Sequence, residues 1–309
     1  MSNGYQQGLG EPVDDLRLIF EERRRLIHFA YNILGSATEA EDAVQEMYLR
    51  WYRLSAADRA KIEATVAWKR TVLTRVCLDK LKSVKRRREE YVGEWLPEPI
   101  PSHGVLHDPI KTWQSTDPAD QFELSQTVSM ALLIVLEKMT PAERVSFVLH
   151  DVFQYSFSEI AEIIERTPQA CRQLASSARK RLTKEEALEA SDEEHARLNS
   201  AFRQAWMLGD IRGLVSVLDK RACAITDGGG VVSASIEPII GAEAIALFFL
   251  STFERQPDLV IEEADVNGKP GLIGSANGKI IAVISSLIRN GVFSDIWVVR
   301  NPEKLRVWQ

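Results

Sequence analysis

The sequence predicts a multidomain protein in which two all-α domains precede a third, α+β domain. Three observations in the 309-residue chain support this order. Residues 12–88 and 121–185 carry apolar residues at helical spacing, and each range ends in a basic segment. A proline-rich stretch at 89–120 separates the two ranges. Residues 191–309 instead combine strand-like apolar runs with helices, which favours helices packed against a curved, mostly antiparallel sheet.

In the first domain, apolar residues at helical spacing fill 16–31, and Gly35 is expected to end that helix. Thr38 and Glu41 stand at capping-box spacing, which predicts the start of an acidic second helix. A long third helix with a basic end is expected at 66–88. From spacing alone, the acidic helix is either an ordinary exposed face or a docking surface for a partner helix.

The stretch at 89–120 is more than a bland tether, because Tyr91, Trp95, Leu96 and Trp113 are large apolar residues. A flexible linker would be rich in glycine and serine and would lack such side chains. We therefore expect this linker to dock on another part of the protein.

The stretch Ser156–Leu182 predicts a helix-turn-helix whose second helix is cationic. Ser156 and Glu159 stand at capping-box spacing, and Thr167 followed by Pro168 fits the N-cap and first position of the second helix. Two short helices joined by a tight turn suit a recognition helix that lies in a major groove. The alternative is an ordinary helical hairpin with a solvated basic face.

Further capping boxes are expected at Thr140 with Glu143, before the helix-turn-helix, and at Ser191 with Glu194, at the start of the third domain. Strand-like runs in the third domain lie at 222–227, 231–236, 259–266, 280–288 and 292–299. A helix at 241–253 interrupts them, and hairpin turns are expected at 227–230 and 290–291.

The distribution of charge is more informative than the net charge of −6. Between Trp68 and Arg88 nine Lys or Arg residues stand against one acid, and between Gln169 and Lys184 there are five and no acid. From Glu186 to the end, 17 acids outnumber 12 bases. A basic stripe on an acidic body favours directed contact with phosphates and little indiscriminate binding.

The composition also limits location and cofactors. No apolar run approaches the ~20 residues of a membrane-spanning helix, and the N-terminus lacks an apolar signal-peptide core. Cys77, Cys171 and Cys223 are odd in number, far apart and in no metal-ligand pattern, so we expect reduced thiols in a cytoplasmic protein. We expect no cofactor, no metal site and no membrane partner. His103 and His107 in the linker have no evident third ligand.

Several segments together resemble one protein family. EAEDAVQEMYLRW followed by AWKRTVLTRVCLDKLKS resembles region 2 of sigma-70-type factors of the extracytoplasmic-function group, and SFSEIAEIIERTPQACRQLASSARKRL resembles their region 4. WLPEP at 95–99, DGGG at 227–230 and NPEKL at 301–305 resemble the signatures of a subgroup with a fused C-terminal SnoaL-like domain. The resemblance covers about Asp14 to Arg306.

This resemblance implies a promoter-specificity subunit of bacterial RNA polymerase. Its region 2 would dock on the β′ clamp helices of core polymerase through Asp42, Gln45, Glu46 and Arg50. The helix at 66–88, with the loop before it, would recognise and help melt the −10 element, through Arg70, Arg75, Lys80, Lys82 and Lys85. Region 4, with the β flap as its expected polymerase partner, would read the −35 duplex through Gln169, Arg172, Gln173, Ser176, Arg179 and Lys180.

The resemblance further implies that the linker and the fused domain modulate activity in cis. The expected contact set is Trp95, Leu96, Pro97, Glu98, Pro99, Asp227, Gly228, Gly229, Gly230, Asn301, Pro302, Glu303, Lys304 and Leu305. We also expect the fused domain to contact region 2. Many family members have Asn where Arg75 stands and Leu where Lys69 stands, so no −10 sequence preference is implied. The turn Glu165–Pro168 lacks the usual glycine.

Two other functions fit parts of the sequence. An ordinary helix-turn-helix regulator with a ligand-sensing domain would not need residues 14–88. SnoaL-like folds also occur as enzymes, whose acid or base would be Asp227, Glu237, Asp265 or Asp295. Because the spacing of these acids singles out no acid–base pair, we expect a regulatory module and no catalytic residue.

Overall fold

The computed structural model describes residues 11–89, 91–101, 128–182 and 190–309. The first helical domain consists of α1 (Glu11–Leu34), α2 (Ala37–Arg53), α3 (Ala56–Ala60) and α4 (Thr65–Glu89). Helices α1, α2 and α4 pack around fully buried side chains, among them Ile27, Val44 and Leu73. The predicted helices are therefore present.

The start of α2 differs from the prediction. Gly35 ends α1 at a φ of 69°, and Ser36 then takes an extended conformation as the N-cap. Ser36 Oγ accepts a hydrogen bond of 3.1 Å from the backbone N–H of Glu39. The capping box predicted at Thr38 is wrong, because Thr38 already lies in the first turn of α2.

The second helical domain consists of α5 (Met130–Glu137), α6 (Pro141–Phe147), α7 (Phe157–Ile164) and α8 (Pro168–Leu182), with a π-helical turn at Val148–Val152 after α6. Both predicted capping boxes are formed in this domain, by Thr140 with Glu143 and by Ser156 with Glu159. Since local side-chain chemistry sets these helix starts, the sequence alone could locate them.

The tight turn of the helix-turn-helix contains no glycine. Glu165 supplies the left-handed conformation itself, at a φ of 56°, and its N–H donates to the carbonyl oxygen of Ala161. Thr167 Oγ1 then accepts a hydrogen bond of 3.1 Å from Ala170 N at the start of α8. The predicted helix-turn-helix is therefore present.

The third domain places three helices against one sheet. The helices are α9 (Asp192–Met207), α10 (Ile211–Ser216) and α11 (Ala242–Arg255). The strands are β1 (Leu218–Asp227), β2 (Ile239–Ile240), β3 (Val260–Val266), β4 (Lys269–Ala276), β5 (Lys279–Arg289) and β6 (Val292–Val299). Their order is β2-β1-β6-β5-β4-β3, and every neighbouring pair is antiparallel except β1 with β6. The predicted α+β class and mostly antiparallel sheet are confirmed.

One predicted strand is absent, and two strands, β2 and β4, were not predicted. The run Val231–Ile236 forms turns and irregular backbone, because Gly229 and Gly230 reverse the chain at φ values of 65° and 70°. The N–H groups of Val231 and Val232 both lie within hydrogen-bond distance of the Gly228 carbonyl oxygen, which closes a turn, but no strand follows at 231–236 and the predicted hairpin is absent. Strand β4 was missed, since its sequence KPGLIGSA has two glycines and little alternation of apolar and polar residues.

The sheet is covered on both faces. Along β6, Ile296 and Val298 join the core beneath α9 and α11, whereas Trp297 and Val299 join the core that contains the two helical domains. Strand β5 contacts α5 on this second face. Successive side chains of a strand point to opposite faces, so one sheet contributes to two separate cores. The third domain is thereby fixed to the two helical domains.

Candidate nucleic-acid interface and interdomain site

The outer face of α2 carries the side chains expected to meet polymerase. Asp42, Gln45 and Arg50 are exposed, and Glu46 is half-buried beside Arg50, with 2.5 Å between its Oε1 and the guanidinium. Asp42 lies 3.9 Å from Lys80 of α4. The opposite face of α2 is buried. The four residues thus share one accessible helical face.

Helix α4 does not present all of its cations to solvent. Lys69 is buried, pairs with Glu22 at 2.6 Å and lies 5.5 Å from the ring centroids of Tyr48 and Trp51. Arg70 lies 5.8 Å from the Phe29 ring centroid and is half-buried.

The remaining cations expected at the −10 element have different surroundings. Lys80 is half-buried, and Lys82 is exposed and forms an ion pair of 3.0 Å with Asp79 of the same helix. The side chain of Lys85 lies outside the described residues. Arg75 points toward the second helical domain.

Arg75 joins the two helical domains. Its Nε donates 2.9 Å to the carbonyl oxygen of Ile163, and its Nη2 donates 3.1 Å to that of Glu162. The Glu165 carboxylate lies 3.3 Å from Nη2. All three partners are at the C-terminal end of α7, where helix carbonyls lack intrahelical donors.

A cleft of about 750 Å³ lies beside this contact. One wall is formed by residues 63–67 with Arg70, at the start of α4 and in the loop before it. The other wall is formed by residues 153–155 with Glu159, from the second helical domain. The loop expected to help melt the −10 element therefore faces the second helical domain across this cleft.

Arg144 of α6 is buried deep between the helical domains, where it pairs with Glu137. Desolvation lowers the pKa of Arg144 to about 10. A methyl group at Gly35 would lie 3.0 Å from Nη2 of Arg144. Because Gly35 has no side chain, there is space beside it for the guanidinium of Arg144.

Helix α8 shows the expected division into two faces. Cys171, Ala175, Ala178 and Leu182 are buried against the domain. The residues expected to contact DNA, which are Gln169, Arg172, Gln173, Ser176, Arg179 and Lys180, are exposed. Arg172 lies 5.4 Å from the Phe157 ring centroid, and Arg179 pairs with Asp151 at 2.7 Å.

The WLPEP segment lies against the third domain around a buried ion pair. Lys304 Nζ donates 2.7 Å to Asp227 Oδ2 and 2.5 Å to the carbonyl oxygen of Leu96. The Asp227 carboxylate also accepts from Leu96 N at 2.9 Å and from the Tyr91 hydroxyl at 2.6 Å. Lys304 Nζ lies 4.1 Å from the Trp95 ring centroid, within cation–π range.

The glycines and Asn301 explain why DGGG and NPEKL meet. Asn301 Nδ2 donates 2.8 Å to the Tyr91 hydroxyl. A methyl group at Gly229 would lie 2.4 Å from Asn301 Nδ2, so only glycine permits this approach. Pro302 and Glu303 are exposed. Leu305 is buried, and Gly228 accepts from the backbone of Val231.

The other end of WLPEP contacts the first helical domain. The Glu98 carboxylate accepts from Ser36 Oγ and Ala37 N at 2.7 Å, and from Thr38 N at 3.2 Å. Glu98 therefore caps the start of α2. Burial raises the pKa of the Glu98 carboxyl above its ordinary value of 4.5, and these hydrogen bonds counteract the rise. Pro97 and Pro99 are buried beside it.

Asn267, which sequence reasoning missed, is buried in the turn between β3 and β4 and hydrogen-bonds to both Tyr31 and Ile100. Tyr91 was noticed only for its size, although its hydroxyl contacts Asp227. The Asn-Gly dipeptide at 267–268 is a turn signal that the sequence prediction did not use, and nothing local distinguishes it from the dipeptides at 277–278 and 290–291.

The four acids considered for catalysis do not converge. Asp227 is committed to Lys304 and the linker, and Glu237 and Asp265 are exposed. Asp295 is half-buried and accepts from Ser294 at 2.8 Å. Aromatic rings fill the space between the helices and the sheet, where Phe202 contacts Phe249 and Phe293 at centroid distances of 4.9 and 5.6 Å.

Within the described residues, no helix is long and apolar enough to cross a membrane, and no three His, Cys, Asp or Glu side chains form a metal-binding group. His103 and His107 lie outside the described residues. The three cysteines are free thiols, and burial raises the pKa of Cys171 and of Cys223.

Comparison with known proteins gives consistent matches along the chain. The Sigma-70 region 2 model matches residues 18–88, and the Sigma-70, region 4 model matches residues 129–182. The chain is 33% identical over 294 residues to the ECF RNA polymerase sigma factor SigJ of Mycobacterium tuberculosis (strain H37Rv), covering 91% of this chain and 90% of that protein. It is 34% identical over 286 residues to the probable ECF sigma factor SigI of M. tuberculosis (strain CDC 1551), covering 92% of both.

The fold shows the same relationship. The crystal structure of the M. tuberculosis extracytoplasmic function sigma factor SigJ superposes with a TM-score of 0.71 at 29% identity. The superposition covers 94% of this chain and 98% of that one. It therefore includes the two helical domains and the α+β domain.

Proposed function

The chain belongs to the extracytoplasmic-function RNA polymerase sigma factors, and we propose that it rests in a closed state in which its linker and C-terminal domain hold regions 2 and 4 together. The β′ clamp helices of core polymerase would bind the exposed face of α2. The residues of α2 at this contact would be Asp42, Gln45, Glu46 and Arg50. Region 4 would meet the β flap. Binding to RNA polymerase would require the protein to act in the cytoplasm.

Promoter recognition is divided between two helices. We assign α4 and the loop before it to the −10 element, and the exposed face of α8 to the −35 duplex. Arg172, Gln173 and Ser176 occupy positions suited to base edges, and Arg179 and Lys180 positions suited to phosphates. Direct contact of Arg75 with DNA requires that it first leave the end of α7.

A comparison of distances supports the closed state. The −10 and −35 elements are roughly 25 base pairs apart, which at about 3.4 Å per base pair is on the order of 80 Å. In the protein, Arg75 of the −10 helix lies 2.9 Å from Ile163 of the −35 domain. Regions 2 and 4 must therefore separate before both elements are bound.

The observation that carries the regulatory part of this proposal is the buried contact of Lys304 with Asp227 and Leu96. The side chains of Lys304 and Asp227 are 7% and 0% exposed, so breaking the pair leaves a buried charge without its partner. The C-terminal domain would thus govern the linker, and with it the spacing of regions 2 and 4, without a separate inhibitor protein. We assign no catalytic step to this domain.

Run-off transcription with core polymerase tests the proposal, on promoters first identified by mapping transcript 5′ ends from host genomic DNA. Lys304→Met keeps the length of the side chain and removes its charge. We expect this variant to raise initiation several-fold, whereas the exposed Lys279→Met leaves it unchanged. Equal activity of Lys304→Met and the unsubstituted protein would contradict the closed resting state. Failure of the protein and both variants to direct initiation at any site would contradict promoter recognition itself.

A further inference from the structure

We propose that the turn Asn267-Gly268 between β3 and β4 connects the C-terminal domain to region 2, the linker and region 4 at once. Breaking the contacts of this turn would open the factor. The inference rests on the closed resting state proposed above. It concerns a residue outside the WLPEP, DGGG and NPEKL segments.

One side chain makes the connections. Asn267 is 1% exposed, and its backbone N–H donates 2.9 Å to the carbonyl oxygen of Ile100. Its Oδ1 accepts from Ile100 N at 3.1 Å. Its Nδ2 donates 2.6 Å to the Tyr31 hydroxyl of α1 and 3.3 Å to the carbonyl oxygen of Val128, just before α5. A single carboxamide therefore touches three parts of the sigma half of the chain.

The chemistry of these partners requires an amide. Oδ1 faces an N–H donor, and Nδ2 faces two oxygens. The Tyr31 hydroxyl cannot supply a proton to Asn267, because it donates to the carbonyl oxygen of Glu98 at 2.7 Å. An aspartate at 267 would have no donor for Tyr31 or for Val128. Since the site is buried, each group left without a partner is costly.

The linker also uses the edge of the sheet beside this turn. Strand β3 is the outermost strand, and Pro101 forms an antiparallel bridge with Val266 at its end. Exposed strand edges present unpaired backbone groups that readily accept another segment. Here residues 100–101 pair with the last residue of that edge, Val266, and with Asn267. The Asn267 turn and the end of β3 therefore form one continuous contact surface for the linker.

The chain contains two matched controls for this turn. Asn277 and Asn290 also adopt left-handed backbone, at φ values of 51° and 54°, and each is followed by a glycine with positive φ. Both asparagine side chains are exposed. Replacing any of the three by glycine keeps the turn conformation, since glycine adopts positive φ without strain. Only at 267 does the replacement remove interdomain hydrogen bonds.

The experiment compares full-length Asn267→Gly and Asn267→Asp with Asn277→Gly and Asn277→Asp. We expect the linker amides of Trp95, Leu96, Glu98 and Ile100 to exchange hydrogen about tenfold faster in both Asn267 variants, because two or more buried hydrogen bonds are lost. Run-off transcription should rise in the same variants by a similar factor. The Asn277 variants should match the unsubstituted protein in both measurements.

Several results would overturn the inference. Equal rates of linker amide exchange in the Asn267 and Asn277 variants would show that Asn267 does not hold the linker. Faster exchange without any change in transcription would exclude its role in opening. If Lys304→Met raised initiation while the Asn267 variants did not, the closed resting state would stand and only this inference would fail.

Tyr31→Phe tests the same contact from region 2, should an Asn267 variant fail to fold. It removes the hydroxyl that joins Asn267 to Glu98 and leaves the C-terminal domain unaltered. We expect faster amide exchange in the linker. The exchange rate of the double variant Tyr31→Phe with Asn267→Gly should exceed that of Asn267→Gly only slightly. Fully additive effects would show that the two residues act separately and would contradict the proposal.

Discussion

Arg75 of α4 donates a hydrogen bond of 2.9 Å from Nε to the carbonyl oxygen of Ile163, near the C-terminal end of α7. The last carbonyl oxygens of a helix carry partial negative charge and lack intrahelical donors, so a guanidinium is favourable there. A cation of region 2 thus caps a helix of region 4. The two domains that contact separate promoter elements are joined by this contact.

Arg75→Ala should weaken the closed state, by about 1–2 kcal/mol, because two hydrogen bonds from a charged but partly exposed group are lost. We expect a larger radius of gyration by small-angle X-ray scattering and faster amide exchange at the end of α7. Lys82→Ala, on the same helix and paired within it, is the control for the scattering and exchange measurements. Reduced transcription with an unchanged radius of gyration would instead indicate that Arg75 acts only on promoter DNA.

Local chemistry made most of the helices predictable. Thr140 and Ser156 each meet a glutamate three residues later, and both helix starts follow the prediction. At the start of α2 the same rule failed, because both Ser36 and Thr38 have a glutamate three residues later. The choice between them is made by Gly35 and by the Glu98 carboxylate, which is distant in sequence.

The contact between the linker and the C-terminal domain was predictable only at residues that belong to a recognisable sequence segment. WLPEP, DGGG and NPEKL could be named from the resemblance, but not the ion pair of Lys304 with Asp227 at their centre. Asn267 has the same local sequence signal as two exposed turns, and only tertiary packing buries it. The cation at position 75 signalled phosphate contact, whereas its partners here are backbone carbonyls.

Glu98→Gln should change the pH dependence of stability. Because burial raises the pKa of the Glu98 carboxyl in the folded state, the folded protein binds a proton more readily than the unfolded chain. The contribution of Glu98 to the free energy of unfolding should therefore fall as pH rises from the ordinary value of 4.5 through the raised pKa.

Urea unfolding of the unsubstituted protein and of Glu98→Gln across this pH range measures the effect. The unsubstituted protein should gain stability relative to the variant as the solution is acidified. Taking the difference removes the opposite contributions of Glu143 and Glu159, whose pKa values are lowered in the folded state. A difference that is constant with pH would contradict a raised pKa at Glu98.

Gly35→Ala should destabilise the protein more than Gly278→Ala. Both glycines have positive φ, 69° and 73°, so both substitutions incur a backbone cost of about 1 kcal/mol. Only at Gly35 does the new methyl group meet a buried guanidinium, that of Arg144 at 3.0 Å, whereas nothing lies within 4 Å at Gly278. Thermal unfolding should show a further loss of about 1–3 kcal/mol for Gly35→Ala. Equal losses would indicate that Arg144 moves aside without cost.

Arg172→Ala and Lys180→Ala should affect promoter binding in different ways. Both residues are exposed on α8 and neither lies in the domain core. Arg172 stands near the start of the helix, where side chains of a recognition helix reach base edges, so its loss should cost about 1–3 kcal/mol and relax selectivity at one −35 position. Lys180, about two turns later, suits a phosphate, and its loss should weaken binding of every sequence while lowering the salt slope by about 1.

Measurement with assembled holoenzyme avoids the closed state of the free factor. Competition between promoter fragments that differ at single −35 positions reports selectivity, and titration over a range of salt concentrations reports phosphate contacts. Arg197→Ala, on the exposed side of α9 in the C-terminal domain, should change neither. If both α8 variants altered only the salt slope, this helix would grip the backbone without reading sequence. Selectivity at −35 would then have to come from the shape of the duplex.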